Sequence, residues 1–377
     1  MDRTPAEPLL EARNLTKYYP LARKAPWSRR TGVVRAVDGI SFSLGEQETI
    51  SLVGESGCGK TTTARMILDL ERPTKGEIVY RSRDLRTLRG SSRLEYRTSV
   101  QAVFQDPTTS LDPRRRVRAI VGEPLAVNRK LSHGELNRHV DELLTAVGLD
   151  LSQARSFPHE LSGGMRQRVA VAQSLALRPS LIVLDEPVSA LDVSIRAQIM
   201  NLLKDLQTEF GLSYLLIAHD LATVRYLSDQ VAALYLGQIV EIGDSEIMFT
   251  RSLHPYTLAL ISAADSSEDR DGRPRIVLQG DVASPADPPS GCRFHPRCWL
   301  RTQLSDTERC TTEAPALRPL GENHRVACHF AETLTEPEQR KRLLDVAREA
   351  SRDPADTTPA TPTGVGAAPG RGEEDWS

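Results

Sequence analysis

The sequence GESGCGKT at residues 54–61 follows the apolar run ETISLV at 48–53 and precedes TTTARMILDL at 61–70, whose apolar residues have helical spacing. This order predicts a strand, a glycine loop and a helix. The loop matches GxxxxGK[ST], in which glycines let backbone amides turn inward and the helix N-terminus attracts phosphate. We therefore expect Lys60 to neutralise phosphate charge and Thr61 to bind Mg²⁺.

Three further apolar stretches end in polar residues: SVQAVFQD at 99–106, SLIVLDEP at 180–187 and LSYLLIAHD at 212–220. Together with the first strand they predict an α/β fold, with a parallel sheet buried on both faces and chemistry at the carboxyl ends of its strands. Asp185 and Glu186 end one of these strands. We expect Asp185 to hold Mg²⁺, usually through water, and Glu186 to polarise an attacking water.

A second candidate anion site opens LSGGMRQRVAVAQSLAL at 161–177, where Ser162, Gly163 and Gly164 begin a predicted helix. The SGG sequence alone is also typical of an ordinary capped helix. The order of the motifs favours the anion site. Along the chain come the glycine loop, Gln105, LSGGM, LIVLDEP, SALD at 189–192 and His219.

The regions around this core have their own patterns. LLEARNL at 9–15 and VRAVDGISFSL at 34–44 alternate apolar and polar residues and predict a β-rich lobe. Ser132 and Glu135 form a capping box at the start of a helical insert. VAALYLGQIVEIG at 231–243 is typical of a hairpin.

The composition excludes several partners. The chain has 48 basic and 50 acidic residues and a net charge of -2, which argues against a general attraction to nucleic acid or anionic lipid. No apolar run approaches the roughly 20 residues that span a bilayer, and residues 1–8 have no apolar core of a secretory signal. We therefore expect a cytosolic protein.

The ordered motif set resembles that of ABC ATPases, over roughly residues 9–250. The resemblance implies a P-loop, RecA-like core with an antiparallel β lobe and a helical subdomain. It also implies that two such subunits close head to tail, so that each ATP lies between the glycine loop of one and the LSGG of the other. One departure is Met165, which stands where glutamine is usual in the signature.

The resemblance also assigns the site residues. Glu186, His219 and Gln105 would be catalytic, with Gln105 sensing Mg²⁺ and water and His219 contacting the γ-phosphate. Tyr19 would stack on adenine, with Tyr18 as its alternative. The remaining ATP-binding set is Gly54, Glu55, Ser56, Gly57, Cys58, Gly59, Lys60, Thr61, Thr62, Ser162, Gly163, Gly164 and Asp192; the Mg²⁺ set is Thr61, Gln105 and Asp185. Cys58 is expected to be a small filler residue and no reactive thiol.

Further sequence segments resemble those of the ATPases of oligopeptide and dipeptide importers: VFQDPTTSLDPR, DEPVSALDVSIRAQI, YLGQIVEIG, HPYT at 254–257 and CRFHPRC at 292–298. The resemblance implies peptide import at the cytoplasmic face of the cell membrane. The implied partners are a second, different ATPase, two transmembrane permease subunits and, indirectly, an extracytoplasmic binding protein. Import of nickel, glutathione or sugars, or export, are the alternatives.

These boundaries follow: an ABC ATPase domain at 9–250, with its helical subdomain at about 106–175, a small cysteine-containing extension at 251–330, and a helix followed by a disordered tail at 331–377. The tail from Pro354 has a composition that cannot bury a core.

Four cysteines crowd into the extension: Cys292, Cys298, Cys310 and Cys328. In a reducing compartment this favours metal ligation over disulfides, and four thiolates can hold zinc or an iron–sulfur cluster. The resemblance to peptide importers favours a [4Fe-4S] cluster, and unligated thiols remain an alternative. If the metal is zinc, His295 or His329 can replace a cysteine.

Other classes with these motifs fit less well. DNA-repair and chromosome-maintenance ATPases need a long coiled coil between the glycine loop and LSGG, where this chain has about a hundred residues. Translation-factor relatives carry two cassettes, whereas this chain has one set of motifs.

Overall fold

The structure is a computed structural model that describes residues 7–21, 32–189, 191–264, 275–305 and 307–351. Most of the basic insert between the first two strands, and the tail predicted to be disordered from Pro354, lie outside these residues.

Within the described ranges the chain alternates strands and helices. The strands are β1 Leu10–Pro20, β2 Val33–Leu44, β3 Thr49–Val53, β4 Lys75–Tyr80, β5 Arg83–Asp84, β6 Val100–Val103, β7 Leu181–Asp185, β8 Ser213–Ile217, β9 Gln230–Tyr235, β10 Gln238–Asp244, β11 Arg318–Pro319 and β12 His324–Val326. The α-helices are α1 Lys60–Ile67, α2 Gly90–Ser99, α3 Pro107–Ser110, α4 Val117–Asn128, α5 His133–Ala146, α6 Gly163–Leu175, α7 Val193–Phe210, α8 Leu221–Leu227, α9 Ser245–Arg251, α10 Pro255–Ala264, α11 Arg309–Thr312 and α12 Pro337–Glu349. Short 3₁₀ helices lie at Leu85–Thr87, Leu151–Arg155, Pro158–Glu160, His295–Arg297, Arg301–Gln303 and Ala331–Leu334.

The predicted β lobe is a four-stranded antiparallel sheet in the order β2-β1-β4-β5. Its central strand β1 pairs Leu10 with Leu44 of β2 and with Tyr80 of β4. The alternation that predicted the lobe places Leu10 and Leu15 in the core, where both are fully buried. The strand is irregular between Ala12 and Tyr18, where its register against β2 shifts three times.

The second sheet has eight strands in the order β11-β12-β10-β9-β3-β8-β7-β6. The strands β3, β8, β7 and β6 run parallel, as the apolar stretches predicted, and β9 of the predicted hairpin joins them as a further parallel strand. Because parallel strands end at the same edge, the glycine loop after β3, the acids after β7 and the residues after β6 and β8 all follow that one edge. This edge positions the site.

The helical insert consists mainly of α4, α5 and α6. The predicted capping box begins α5: the Ser132 side chain accepts from the Glu135 amide, and the Glu135 carboxylate accepts from the Ser132 amide. Val140 and Leu144 of α5 are fully buried.

The C-terminal extension joins the core sheet, which the sequence did not indicate. β12 pairs with β10 over Glu241–Gly243, and β11 pairs with β12. Tyr256 and Phe294 of the extension lie in the same hydrophobic cluster as the core strands. The boundary at 250 therefore stays a prediction, made for a segment that packs directly on the ATPase core.

Where the structure describes the chain, none of its helices combines the length and the apolar character that crossing a membrane requires.

Candidate functional site

The glycine loop links the end of β3 to the start of α1. Gly59 precedes the helix with φ of 110°, in the left-handed region that favours glycine. A Cβ atom at Gly59 would lie 2.4 Å from the Ala36 carbonyl oxygen. The loop therefore needs glycine at this position for its backbone angle and for its close packing on β2. Amides at such a loop and helix start can bind a phosphate.

Lys60 lies in the interior of this loop, with its side chain buried. Its ammonium donates to the carbonyl oxygens of Gly54 at 2.6 Å and Glu55 at 3.0 Å. It also lies 3.6 Å from the Cys58 sulfur. Burial is the largest effect on the Cys58 thiol and raises its pKa, which fits the expected role of a small filler residue. The loop thus holds a positive charge in place.

Three predicted catalytic side chains meet beyond the ends of β6, β7 and β8. The Gln105 amide donates to Glu186 Oε2 at 2.7 Å, and His219 Nδ1 lies 3.2 Å from the same oxygen. Glu186 has φ of 49°, a value that a residue with a side chain adopts at an energetic cost. Its amide donates to the Ile217 carbonyl at 2.9 Å, which fixes this geometry. The arrangement presents one carboxylate between an amide and an imidazole.

Asp185 is half-buried at the end of β7. Burial raises the pKa of its carboxyl, and the neighbouring Glu186 raises it further, whereas Arg65 and Lys60 lower it. A divalent cation bound to Asp185 would offset both effects that disfavour the charged form of this carboxyl. Thr61, the other expected Mg²⁺ ligand besides Gln105, is exposed on the first turn of α1. Their joint coordination of Mg²⁺ stays a prediction.

The LSGG segment begins α6. Ser162 caps this helix by accepting from the Met165 amide at 3.3 Å, and Ser162 and Gly163 are exposed. Gly164 is buried, and a Cβ atom there would lie 2.5 Å from Ile195 Cγ2 on α7. Asp192, at the start of α7, is exposed as well. Ser162, Gly163 and Asp192 thus lie at the surface, and Met165 leaves the cap of α6 intact.

The two tyrosines at the end of β1 have different surroundings. The Tyr19 hydroxyl donates to Glu71, and Lys17 Nζ lies 5.0 Å from its ring centre. The Tyr18 hydroxyl donates instead to Asp38, which also binds Arg293 of the extension. Burial raises the pKa of the Tyr19 hydroxyl, and the neighbouring Thr62 lowers it, which places the hydroxyl beside the helix that follows the loop. Contact of Tyr19, or of Tyr18 in its place, with adenine stays a prediction.

The four late cysteines line one small cavity, together with His295 and His329. Burial is the largest effect on each thiol: it raises the pKa of Cys292 to about 11 and of Cys298 to about 12, and raises those of Cys310 and Cys328 as well. All four are free thiols. Within the described ranges no three His, Cys, Asp or Glu side chains form a group that could hold a metal ion. The donor chemistry suits a metal, but the side chains as placed do not ligate one.

Motif analysis missed two residues that contact the glycine loop. Arg297, inside CRFHPRC, makes a two-pronged ion pair with the Glu55 carboxylate. The Tyr256 hydroxyl, inside HPYT, accepts from the Glu55 amide at 2.8 Å. Both segments stand out in the sequence, but only the fold brings them to a loop about 200 and 240 residues earlier.

Comparisons with known proteins agree with this geometry. A family model described as ABC transporter matches residues 37–189, and one described as oligopeptide/dipeptide transporter, C-terminal region, matches residues 240–304. The oligopeptide transport ATP-binding protein AppF of Bacillus subtilis is 45% identical over 327 residues, which cover 86% of this chain and 98% of AppF. The dipeptide transport ATP-binding protein DppF of Escherichia coli is 42% identical over 339 residues, covering 90% of this chain and 99% of DppF.

Solved structures are similar as well. The dimeric ATP-binding cassette MJ0796, bound to ADP and Pi, superposes with a TM-score of 0.55 at 28% identity, covering 63% of this chain and 98% of that chain. The cassette cbiO1 from Clostridium perfringens superposes with a TM-score of 0.56 at 28% identity, covering 65% of this chain and 91% of that chain.

Proposed function

Because the chain belongs to the ABC transporter family, and within it to the oligopeptide and dipeptide transport ATP-binding proteins, we propose that it is the ATPase subunit that powers peptide import across a membrane. The observation that carries the proposal is the presence of both matched regions in one chain. The first region holds the phosphate loop, and the second holds the HPYT segment and the first two clustered cysteines. The alignments with relatives named for peptide transport cover almost the full length of those relatives.

ATP hydrolysis follows from the residues at the sheet edge. The loop amides and Lys60 bind the β- and γ-phosphates, and Thr61, Asp185 and Gln105 hold Mg²⁺ directly or through water. The metal supplies charge neutralisation on the phosphates. Glu186 orients the attacking water and accepts its proton as the water oxygen bonds to the γ-phosphorus. The bond from that phosphorus to the β–γ bridging oxygen breaks in the same step, and ADP leaves with the bonding electron pair.

The contacts around Glu186 support this assignment. In the structure Gln105 and His219 both lie against one oxygen of Glu186. These polar groups hold the carboxylate at the strand end. In the proposed mechanism Gln105 exchanges this contact for Mg²⁺ and the attacking water, and His219 exchanges it for the γ-phosphate. Tyr19 stacks on the adenine.

Two copies of the cassette form the working unit in this proposal. The exposed Ser162, Gly163 and Asp192 support it, because their polar groups face away from the chain's own core. The second cassette is a different ATPase subunit, and the pair works with two transmembrane permeases at the cytoplasmic face of the membrane. An extracytoplasmic binding protein delivers the substrate, and nucleic acid plays no part.

We further propose that Cys292, Cys298, Cys310 and Cys328 hold a [4Fe-4S] cluster, with zinc as the alternative. The proposal is based on the lining of one cavity by all four cysteines, and it requires their side chains to move into ligating positions when the metal binds. Because the pKa values of these thiols are raised, metal binding must be strong enough to remove the proton from each of them. Protein purified without oxygen should be brown and contain about four irons and four sulfides per chain. Colourless protein with stoichiometric zinc would assign zinc instead, and protein with neither would remove the metal site.

Uptake of a labelled di- or oligopeptide tests the transport function. Cells that lack this chain should lose uptake, the intact chain should restore it, and Lys60→Ala should not. A Lys130→Ala variant is the control, because Lys130 is an exposed lysine between α4 and α5. Full uptake with Lys60→Ala would refute the proposal that this chain powers import. Normal peptide uptake in cells without the chain, combined with lost uptake of nickel, glutathione or a sugar, would reassign the substrate.

A further inference from the structure

The glycine loop carries an acidic side chain beside the place where phosphates bind. Glu55 is the second residue of GESGCGKT, and its carboxylate faces the extension. Arg297 donates to it through two nitrogens, at 2.7 Å and 3.1 Å. The Arg297 side chain is only 9% exposed and that of Glu55 is 27% exposed. A two-pronged pair with this little solvent fixes the direction of the carboxylate as well as its position.

The backbone of Glu55 is held from the same side. Its amide donates to the hydroxyl of Tyr256, whose ring is fully buried. That ring packs on Tyr235 with centres 4.8 Å apart and on Phe294 with centres 5.5 Å apart. The amide and the carboxylate of Glu55 are therefore both bound by residues of the extension, and the Tyr256 ring packs on other aromatic rings.

This contact is not needed to attach the extension. β12 already pairs with β10 in the core sheet, and the extension has a hydrophobic cluster of its own around Leu253, Leu300 and Val326. Arg297 nevertheless places a buried guanidinium on the one carboxylate of the loop. A carboxylate without this partner would repel the phosphates of ATP, which carry several negative charges, and would be free to turn toward them.

We propose that Arg297 is a positioning residue for ATP binding: it neutralises the Glu55 carboxylate and keeps it turned away from the phosphates that bind at the glycine loop. The extension is then part of the nucleotide site. This inference rests on the proposed ATPase function of the loop. Arg297 contacts Glu55 and acts on the nucleotide only through it.

The test is a charge-pairing experiment on the full chain with MgATP as the ligand. Four proteins are compared: wild type, Arg297→Gln, Arg297→Gln with Glu55→Gln, and Arg318→Gln. The last is the matched control, because Arg318 of the extension makes a similar two-pronged pair with Glu332, and neither residue belongs to the glycine loop. The measurements are the Kd for MgATP by titration calorimetry, KM and kcat for hydrolysis, and the Tm of each protein.

We expect Arg297→Gln to raise Kd and KM by about tenfold or more with a smaller change in kcat, since the unpaired carboxylate opposes the bound phosphates before chemistry begins. Adding Glu55→Gln should recover most of that loss, because it removes the unpaired charge. Arg318→Gln should keep Kd within about twofold of wild type even where its Tm falls. If Arg297→Gln does not fold, Arg297→Lys keeps the charge without the fork and should give an intermediate Kd.

Equal Kd values for wild type and Arg297→Gln would overturn the inference, as would a double variant no better than Arg297→Gln. The same rise in Kd for Arg318→Gln would also overturn it, because general loosening of the extension would then explain the effect. Wild-type protein that binds no MgATP would instead refute the proposed ATPase function itself.

Discussion

Replacement of Glu241 should strongly destabilise the junction between the core sheet and the extension. Glu241 lies on β10 with no exposed surface. Its carboxylate accepts from the Leu253 amide at 2.6 Å, the His254 amide at 3.1 Å and His324 Nε2 at 2.8 Å. One buried acid thus satisfies donors from the segment before α10 and from β12.

The size of the effect follows from these three contacts. Glu241→Ala leaves all three donors buried without an acceptor, and each such donor costs about 1–3 kcal/mol. The three losses are not independent, because the donors share one carboxylate, so their sum lies toward the lower end of that range. We expect the free energy of unfolding to fall by about 4 kcal/mol.

Urea unfolding followed by circular dichroism measures this loss. The matched control is Glu246→Ala on α9, where the glutamate is exposed and the change should stay within about 0.5 kcal/mol. Should Glu241→Ala unfold within about 1 kcal/mol of wild type, the reasoning that this carboxylate anchors the extension would be refuted.

Two further predictions concern α6 and the start of α10. Gly164→Ala should lower the free energy of unfolding by about 1–3 kcal/mol, because its Cβ atom would lie 2.5 Å from Ile195 Cγ2. In the control Gly163→Ala, the atom nearest to the new Cβ is 3.5 Å away, so the loss should be much smaller. Equal losses in thermal unfolding would contradict the close packing of α6 on α7. Burial lowers the pKa of His254 from 6.5 to about 4. Between these pH values the unfolded chain binds a proton at this imidazole and the folded chain does not. The free energy of unfolding should therefore fall by about 3 kcal/mol as the pH drops from about 6.5 to about 4. Urea unfolding of His254→Asn should show a smaller fall over this range, and an equal fall in both proteins would speak against a buried neutral imidazole.

The core of the fold could be predicted from local patterns in the sequence. Apolar runs such as LIVLD at 181–185 are long enough to indicate a buried strand, and the motif residues at their ends fix which edge holds the chemistry. The structure confirms the parallel strands and the capping box of α5. These features depend on neighbouring residues, which is why the sequence alone carries them.

Contacts between distant segments could not be predicted in the same way. β12 is only three residues long, too short for an alternating pattern, so its pairing with β10 had no local signal. The pair between Arg297 and Glu55 joins residues 242 positions apart. The irregular register of β1 against β2 likewise had no local signal, because register shifts leave little trace in composition.

In the candidate site, too, the residue types could be predicted from the sequence, whereas the contacts between distant segments could not. The types and order of Gln105, Glu186 and His219 indicated a common catalytic role, and the structure places all three together. The positive φ of Glu186 and the hold of the extension on the glycine loop became visible only in three dimensions.

Glu186→Gln in the presence of MgATP and the partner cassette tests the central claim most directly. The variant keeps the shape of the side chain but cannot accept a proton from water, so ATP-dependent pairing of the two cassettes in gel filtration should persist while turnover falls by about 100-fold or more. Lys60→Ala, assayed alongside, should abolish both. Hydrolysis by Glu186→Gln at the wild-type rate, or pairing that does not depend on ATP, would contradict the account.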